Sequence, residues 1–248
     1  MKPFLSVIIP AYNEERSLKR GVLDEVWEYF KTVKYKWEVL IVDDGSTDKT
    51  AEICQEFAKS HPGFKLMKEP HRGKGGTVIA GMLAGSGDYL LFADMDQATP
   101  VTEVEKLIQK LNSGFDIAIG SRHGREGAPL IRKTMAYGFS LLRLIVLRLP
   151  FKDTQCGFKL FKKAAAKKIF SRMKIYSEKR RVQGSSVSAG FDLEVLYLAR
   201  KLGFKVAEVP VVWHHQEGTK VNPIKDSWEG FRDLMMVRIN ALEGKYGV

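Results

Sequence analysis

The chain has 248 residues, 44% of them apolar and 28% charged, which excludes a disordered chain and allows one large buried core or two small ones. Its net charge of +11 is concentrated: residues 122–181 hold 17 Lys/Arg against 3 Asp/Glu, so the rest of the chain sums to −3. That asymmetry points to an anionic partner, whether nucleic acid, a membrane surface or a phosphorylated substrate, unless it is only a solvated basic face. Cys54 and Cys156 lie far apart without metal-type spacing, which excludes a disulfide framework and fits packing in a reducing compartment.

The first elements alternate between strand and helix. MKPFLSVIIP holds an apolar run too short for a signal peptide, and its residues 4–10 read as a buried strand. Leu18, Val22, Val26, Trp27 and Phe30 give residues 13–32 helical spacing. Residues 37–42 form a second strand, and Ser46 or Thr47 in DDGSTDKT is placed to cap the helix that runs to about Ser60. A short strand over 64–68, a helix over 76–84, a strand over 88–93, a helix over 101–111 and a strand over 115–120 follow. This βα alternation predicts a mostly parallel sheet covered on both faces, with ligands beyond the carboxyl ends of its strands. Residues 10–14, 43–46, 94–96 and 120–122 are therefore expected around one crevice.

The second half is less regular. Residues 130–150 are rich in Leu and Ile, with 11 of the 16 from Thr134 to Leu149 apolar, yet Arg143 and Arg148 interrupt them. That pattern suits an interfacial helix or a core helix of a second layer, and no uncharged run is long enough to span a membrane. Flanking lysines (Lys133, Lys152, Lys162, Lys163, Lys167, Lys168) would add attraction to an anionic leaflet. DTQCGFKLF reads as a loop entering a strand, residues 162–173 as a basic helix, and 177–189 as a polar, mobile loop. GFDLEVLYLARKLG has amphipathic helical spacing, residues 204–213 read as a strand and 226–242 as a final helix. His214 and His215 are strand neighbours facing opposite ways, which argues against a shared metal.

Asp94-Met95-Asp96 ends the strand YLLFA. Unpaired carboxylates are seldom buried, so the chain must surface there or meet a cation. Two carboxylates at a strand-to-loop turn suit Mg²⁺ or Mn²⁺, which take carboxylate oxygens, waters and substrate phosphates; alone, the pair also suits a loop that caps the next helix. RGKGG, residues 72–76, offers a basic glycine-rich turn, but no Ser or Thr follows Lys74 and the full phosphate-loop pattern fails. Lys74 is then a phosphate donor group or part of a plain tight turn.

PAYNEE after the first strand, VDDGSTDKT after the second and ADMD after the fourth together resemble the nucleotide-sugar-binding half of inverting glycosyltransferases of family 2. The likeness continues through GSR, DTQCGFKLF, GFDLEVLYLA and VVWHHQEGTKV over essentially the whole chain. Within the family it most resembles the dolichyl-phosphate glucosyltransferases, with the dolichyl-phosphate mannose synthases as near relatives. The resemblance implies an α/β GT-A (Rossmann-like) fold in one domain over 1–248, with residues 1–121 binding the nucleotide sugar and 122–248 forming a basic, amphipathic, acceptor- and membrane-facing half. It implies Pro10, Tyr12 and Glu14 along the base and ribose beside Asn13, Asp44 accepting from the base N–H, and Asp43, Lys74 and Met95 completing the donor site. Asp94 and Asp96 would bridge Mg²⁺ or Mn²⁺ to the donor diphosphate. Gln97 would be a third ligand, although the mannose synthases carry their Gln one residue later in D-x-D-x-Q. Asp43 has an alternative task in holding the GSTD loop.

The acceptor expected from the resemblance is a polyprenyl (dolichyl) phosphate, and the donor UDP-glucose rather than GDP-mannose. A phosphate oxygen is already ionised near neutral pH and needs no general base, whereas a sugar hydroxyl does. Arg122, Arg125 and Arg132, with Lys220 from the C-terminal EGTK, are the candidates to hold that phosphate. Asp192, where other members keep a base, would orient a basic residue, contact the acceptor or cap its helix. The chain begins at its first strand, without the anchor of eukaryotic relatives, so a cytosolic-face, peripherally attached enzyme is expected. A nucleic-acid module would interleave aromatics with the charges, and residues 162–181 offer only Phe170 and Tyr176.

Overall fold

The computed structural model describes residues 2–122, 130–176, 190–214 and 223–248, without the side chains of 130–137 and 223–227. Arg125, Lys220, His215 and the loop 177–189 lie outside the described residues, as does the side chain of Arg132.

Apolar runs bounded by turn residues become the strands β1 (Leu5–Ala11), β2 (Trp37–Asp43), β3 (Phe64–Lys68), β4 (Tyr89–Ala93), β5 (Ile117–Arg122), β6 (Phe158–Lys162) and β7 (Val206–Val211). They form one sheet in the order β3-β2-β1-β4-β6-β5-β7. All neighbours run parallel except β6, which is antiparallel to both β4 and β5. Every residue of β1 is buried, as expected for a strand covered on both faces.

The helices are α1 (Glu15–Lys19), α2 (Val22–Thr32), α3 (Thr50–Ser60), α4 (Gly73–Ala84), α5 (Val104–Asn112), α6 (Leu130–Leu147), α7 (Lys163–Phe170), α8 (Gly190–Lys201) and α9 (Pro223–Leu242). Strand alternation splits the core in two. Ile8, Val42, Phe92 and Phe161 face α4, α6, α7, α8 and α9. Val7, Ile9, Val39 and Leu91 face α1, α2, α3 and α5. The result is a helix–sheet–helix sandwich with the crevice at the carboxyl ends of β1, β2, β4 and β5. No helix of the described residues is long and apolar enough to cross a membrane.

Local differences from expectation have physical causes. The helix read over 13–32 is broken at Gly21, whose φ of +82° leaves helical space and is open to glycine without strain. Helix α4 begins at Gly73, three residues early, because Asp44 caps its N-terminus from another loop. Neither Ser46 nor Thr47 caps α3; Asp48 Oδ1 accepts from the Thr50 N–H at 2.9 Å instead. The basic helix shortens to α7, since Lys162 still pairs as a strand residue.

Helix α4 lies close on the sheet because Gly81 has no side chain: a Cβ there would come within 2.5 Å of Ile8 and 2.9 Å of Val42. Gly81→Ala is therefore expected to cost about 1–3 kcal/mol by overpacking, read as a lower urea midpoint at unchanged slope.

Candidate active site

The first loop is stitched to the second. Asn13, at a φ of +53°, donates its N–H to Ser46 Oγ at 3.0 Å and accepts from the Thr47 N–H at 2.8 Å. The Asp43 carboxylate accepts from the Ser46 N–H at 3.3 Å, the loop-holding task foreseen as its alternative. Asp44 is buried, and its two oxygens accept from the N–H groups of Arg72 at 2.8 Å and Gly73 at 2.9 Å. His71 Nδ1 lies 2.9 Å from Asp44 Oδ2 while its ring stacks on Tyr12 at 4.1 Å. Tyr12 thus presents an aromatic face braced from behind, whereas Asp44 has both oxygens engaged within the protein. Pro10 is buried in β1.

The two aspartates of the β4 end differ sharply. Met95 between them is buried in the core, so its side chain faces away from the crevice. Asp96 Oδ1 accepts from the Ala98 N–H at 3.0 Å, and burial with the neighbouring Asp94 pushes the Asp96 pKa up. Asp94 Oδ1 is buried without an aligned hydrogen-bond donor, yet lies 2.5 Å from Lys74 Nζ. Lys74 comes from the start of α4; burial lowers its pKa, but Asp94, Asp192 and Asp96 outweigh that and hold it protonated. Glu14 is pushed up by burial, against the hydrogen bond it accepts from Ser17 Oγ at 2.6 Å, with Asp96 and Asp94 adding to the rise. Gln97, at a φ of +50°, turns its Nε2 back to the Asp94 carbonyl at 3.0 Å.

A divalent cation fits this strand end. Among the described residues no three acids or imidazoles cluster as a closed metal cage. A cation that shares substrate phosphates and waters needs only one or two carboxylates. The buried, poorly satisfied Asp94 oxygen, with an ammonium already against it, is a place where positive charge is stabilised.

The second half closes the crevice. Arg122, ending β5, is held by Asp153: Nε to Oδ2 at 2.6 Å and Nη2 to Oδ1 at 2.9 Å. Its guanidinium also lies 5.7 Å from the Trp213 ring. Burial would raise the Asp153 pKa, but Arg122 outweighs it and holds the carboxyl down at about 2. A depressed folded pKa stabilises the protein above the ordinary value of 3.8, and the contribution disappears as pH falls from there to about 2. Asp153→Asn should therefore lower the melting temperature at neutral pH and flatten its fall across that acid window.

Lys159, unremarked in the sequence beyond its motif, is fully buried on β6. Its ammonium donates to Asp192 Oδ1 at 2.6 Å and to the Cys156 carbonyl at 2.5 Å, and stands 5.2 Å from the Phe92 ring. Burial pushes the Asp192 pKa up; Lys159 and Lys74 oppose it. Gly157, two residues before Lys159 and just ahead of β6, touches the Asp94 carboxylate so closely that a Cβ would stand 2.1 Å from Oδ2. The sequence signal for Lys159 was a lone charge inside F-K-L-F, where burial without a partner is forbidden. Nothing in the sequence marked Gly157 or His71.

Much of the basic segment is turned inward. Arg143 donates to Thr154 Oγ1 at 2.9 Å and to the Phe151 carbonyl, Lys162 pairs with Asp116 at 3.2 Å, and Lys163 and Lys167 donate to the carbonyls of Ser86 and Leu83. Of the six lysines expected to face a leaflet, Lys162, Lys163 and Lys167 thus hold the chain's own oxygens.

Residues 6–170 match the family model described as glycosyl transferase family 2. The chain belongs to glycosyltransferase family 2. This glycosyltransferase is 37% identical to dolichyl-phosphate beta-glucosyltransferase of Saccharomyces cerevisiae, over 98% of this chain and 76% of the relative. The human protein of the same name is 32% identical over 98% of this chain and 77% of its own length. Among solved structures, glucosyl-3-phosphoglycerate synthase from Mycobacterium tuberculosis in complex with Mn²⁺, UDP and glucosyl-3-phosphoglycerate superposes with a TM-score of 0.59 at 18% identity, covering 99% of this chain and 81% of that one. A mannosyltransferase from Pyrobaculum calidifontis in complex with GDP-Man and Mn²⁺ gives 0.58 at 20% identity, covering 89% and 59%. At these identities the structural likeness establishes the GT-A fold of this glycosyltransferase.

Proposed function

We propose that this glycosyltransferase moves glucose from UDP-glucose to a polyprenyl (dolichyl) phosphate, with inversion, at a membrane surface. The names of the relatives support glucose and dolichyl phosphate. The observation that carries the acceptor class is the Lys159–Asp192 pair. Asp192 is the acid placed to serve as general base, and its Oδ1 is committed to a fully buried ammonium at 2.6 Å. A hydroxyl acceptor needs a carboxylate free to take its proton, whereas a phosphate oxygen arrives ionised.

In this reading Tyr12 offers its braced face to the base, with Glu14 near the ribose. Asp94 and Asp96 would hold Mg²⁺ or Mn²⁺, and the chemistry such an ion would supply there is offsetting negative charge on a nucleoside diphosphate leaving group. Lys74 supplies a second positive charge at the same strand end. Arg122, kept in one orientation by Asp153 and Trp213, directs guanidinium charge toward the acceptor phosphate, with Arg125, Arg132 and Lys220 as further cations. Gln97 remains a candidate ligand through its side-chain oxygen.

The test offers short-chain polyprenyl phosphate or the free polyprenol as acceptor, with UDP-glucose or GDP-mannose as donor and Mn²⁺ or Mg²⁺. Transfer from UDP-glucose to the phosphate alone is expected, lost with Asp96→Ala and weakened with Arg122→Ala. Equal transfer to the alcohol would overturn the acceptor, and transfer from GDP-mannose alone would overturn the donor.

A further inference from the structure

On the layer of α6, α8 and α9 lies a cavity of about 470 Å³, away from the crevice. Its lining includes Arg148, Arg200, Lys201 and Arg238, together with Ile145 and Tyr197, and no acid. Helix α8 connects it to the active site: Asp192 stands at its first turn and Arg200 and Lys201 at its last. At 1.5 Å per residue these are about 12 Å apart along the axis. Among the described residues none of the four cations makes an ion pair or a side-chain hydrogen bond. This distinguishes them from Arg122, Arg143, Lys159 and Lys162, which all have partners.

Two further observations point to a ligand. Arg148 holds a φ of +53°, a left-handed conformation that a side chain adopts at a cost, directly after α6. From this turn Arg148 contributes to the cavity lining. Beside the cations the surface is apolar: Leu144 and Ile145 on α6 and Ile239 and Leu242 on α9 are exposed, Ile145 at 67% and Leu242 at 71%. Unpaired arginines suit a phosphate, and an apolar rim suits what a phosphate is attached to when it belongs to a lipid. A free inorganic ion would gain nothing from that rim.

We infer that this cavity binds the phosphate headgroup of an anionic phospholipid, with the exposed apolar residues of α6 and α9 entering the acyl boundary. The inference deepens the membrane-surface part of the reading above and is independent of the transfer chemistry. It rests on a set of cations other than Lys162, Lys163 and Lys167, which bond the chain's own oxygens. This second site is cationic and its anionic lipid does not react, so a bilayer would hold the enzyme at a fixed orientation while the crevice processes its acceptor.

The experiment is co-sedimentation of the full chain with phosphatidylcholine vesicles, with and without one third phosphatidylglycerol. The test variant is Arg148→Gly with Arg238→Gln; glycine suits the left-handed φ, so folding is retained and is checked by melting. The control is Lys59→Gln with Lys110→Gln, on α3 and α5 of the opposite layer, which removes equal charge. Binding to the anionic vesicles is expected to fall roughly 30-fold in the test variant and to stay near wild type in the control. Transfer to a short, water-soluble acceptor phosphate should be unchanged in both, so failure of the catalytic reading would show separately. Equal weakening by both variants would mean diffuse attraction and overturn the site. So would equal binding to neutral vesicles, or occupancy by inorganic phosphate with no vesicle binding.

Discussion

Gly157→Ala is expected to lower kcat/KM by about 100-fold or more while the protein stays folded. Its Cβ would come within 2.1 Å of Asp94 Oδ2, 2.5 Å of Cγ and 2.7 Å of Oδ1, so the whole carboxyl group must turn away. Gly157 is not at a positive φ, and alanine can adopt its backbone, which confines the damage to one side chain. Asp94 cannot turn without leaving Lys74, its partner at 2.5 Å, and without moving the oxygen that stands closest to positive charge. Displacement by about 1 Å at a site whose purpose is charge placement is costly to the reaction and cheap to the fold. Steady-state kinetics beside a thermal melt decides it. A variant as active as wild type would show that the Asp94 carboxylate is not held for catalysis.

The second large effect is on stability. Lys159→Met should cost about 3–5 kcal/mol, because it leaves the Asp192 carboxylate buried and unpaired. That is a large fraction of a typical folding free energy of about 5–15 kcal/mol. Lys159→Met combined with Asp192→Leu should recover most of the loss, since two apolar groups replace two charges. Denaturant titration of both variants checks this. If the double variant is no better than Lys159→Met, the two groups are not energetically coupled, and the argument that Asp192 is committed to Lys159 fails with it.

The sequence revealed those parts of the fold that depend on local pattern. Continuous apolar strands, helices with 3.6-residue spacing and the exposed turn after Ala93 follow from burial and periodicity alone. They placed Asp94, Asp96 and Arg122 at one sheet end. What stayed hidden depends on long-range partners. The direction of β6 is set by its neighbours in the sheet, and a short apolar run such as F-K-L-F carries no mark of whether its neighbours run parallel or antiparallel. Asp44 was expected to accept from a base N–H, and its donors within the chain, the N–H groups of Arg72 and Gly73, stayed hidden because they are 28 and 29 residues away. The basic segment looked like one surface because charge counts carry no information about which cations meet a carbonyl. Gly21 was legible as a helix breaker in principle, but its neighbours kept the amphipathic spacing on both sides.

The antiparallel β6 also constrains how the protein can be made. It lies between β4 and β5, yet it is synthesised after both. Until residue 162 has left the ribosome, the Tyr89–Ala93 edge has no neighbour on that side, and β5 has no place in the sheet. A nascent chain therefore exposes an apolar edge strand through the synthesis of some seventy residues, which is an invitation to pair with another chain. A product ending at residue 121 should aggregate rather than accumulate as a small nucleotide-binding unit.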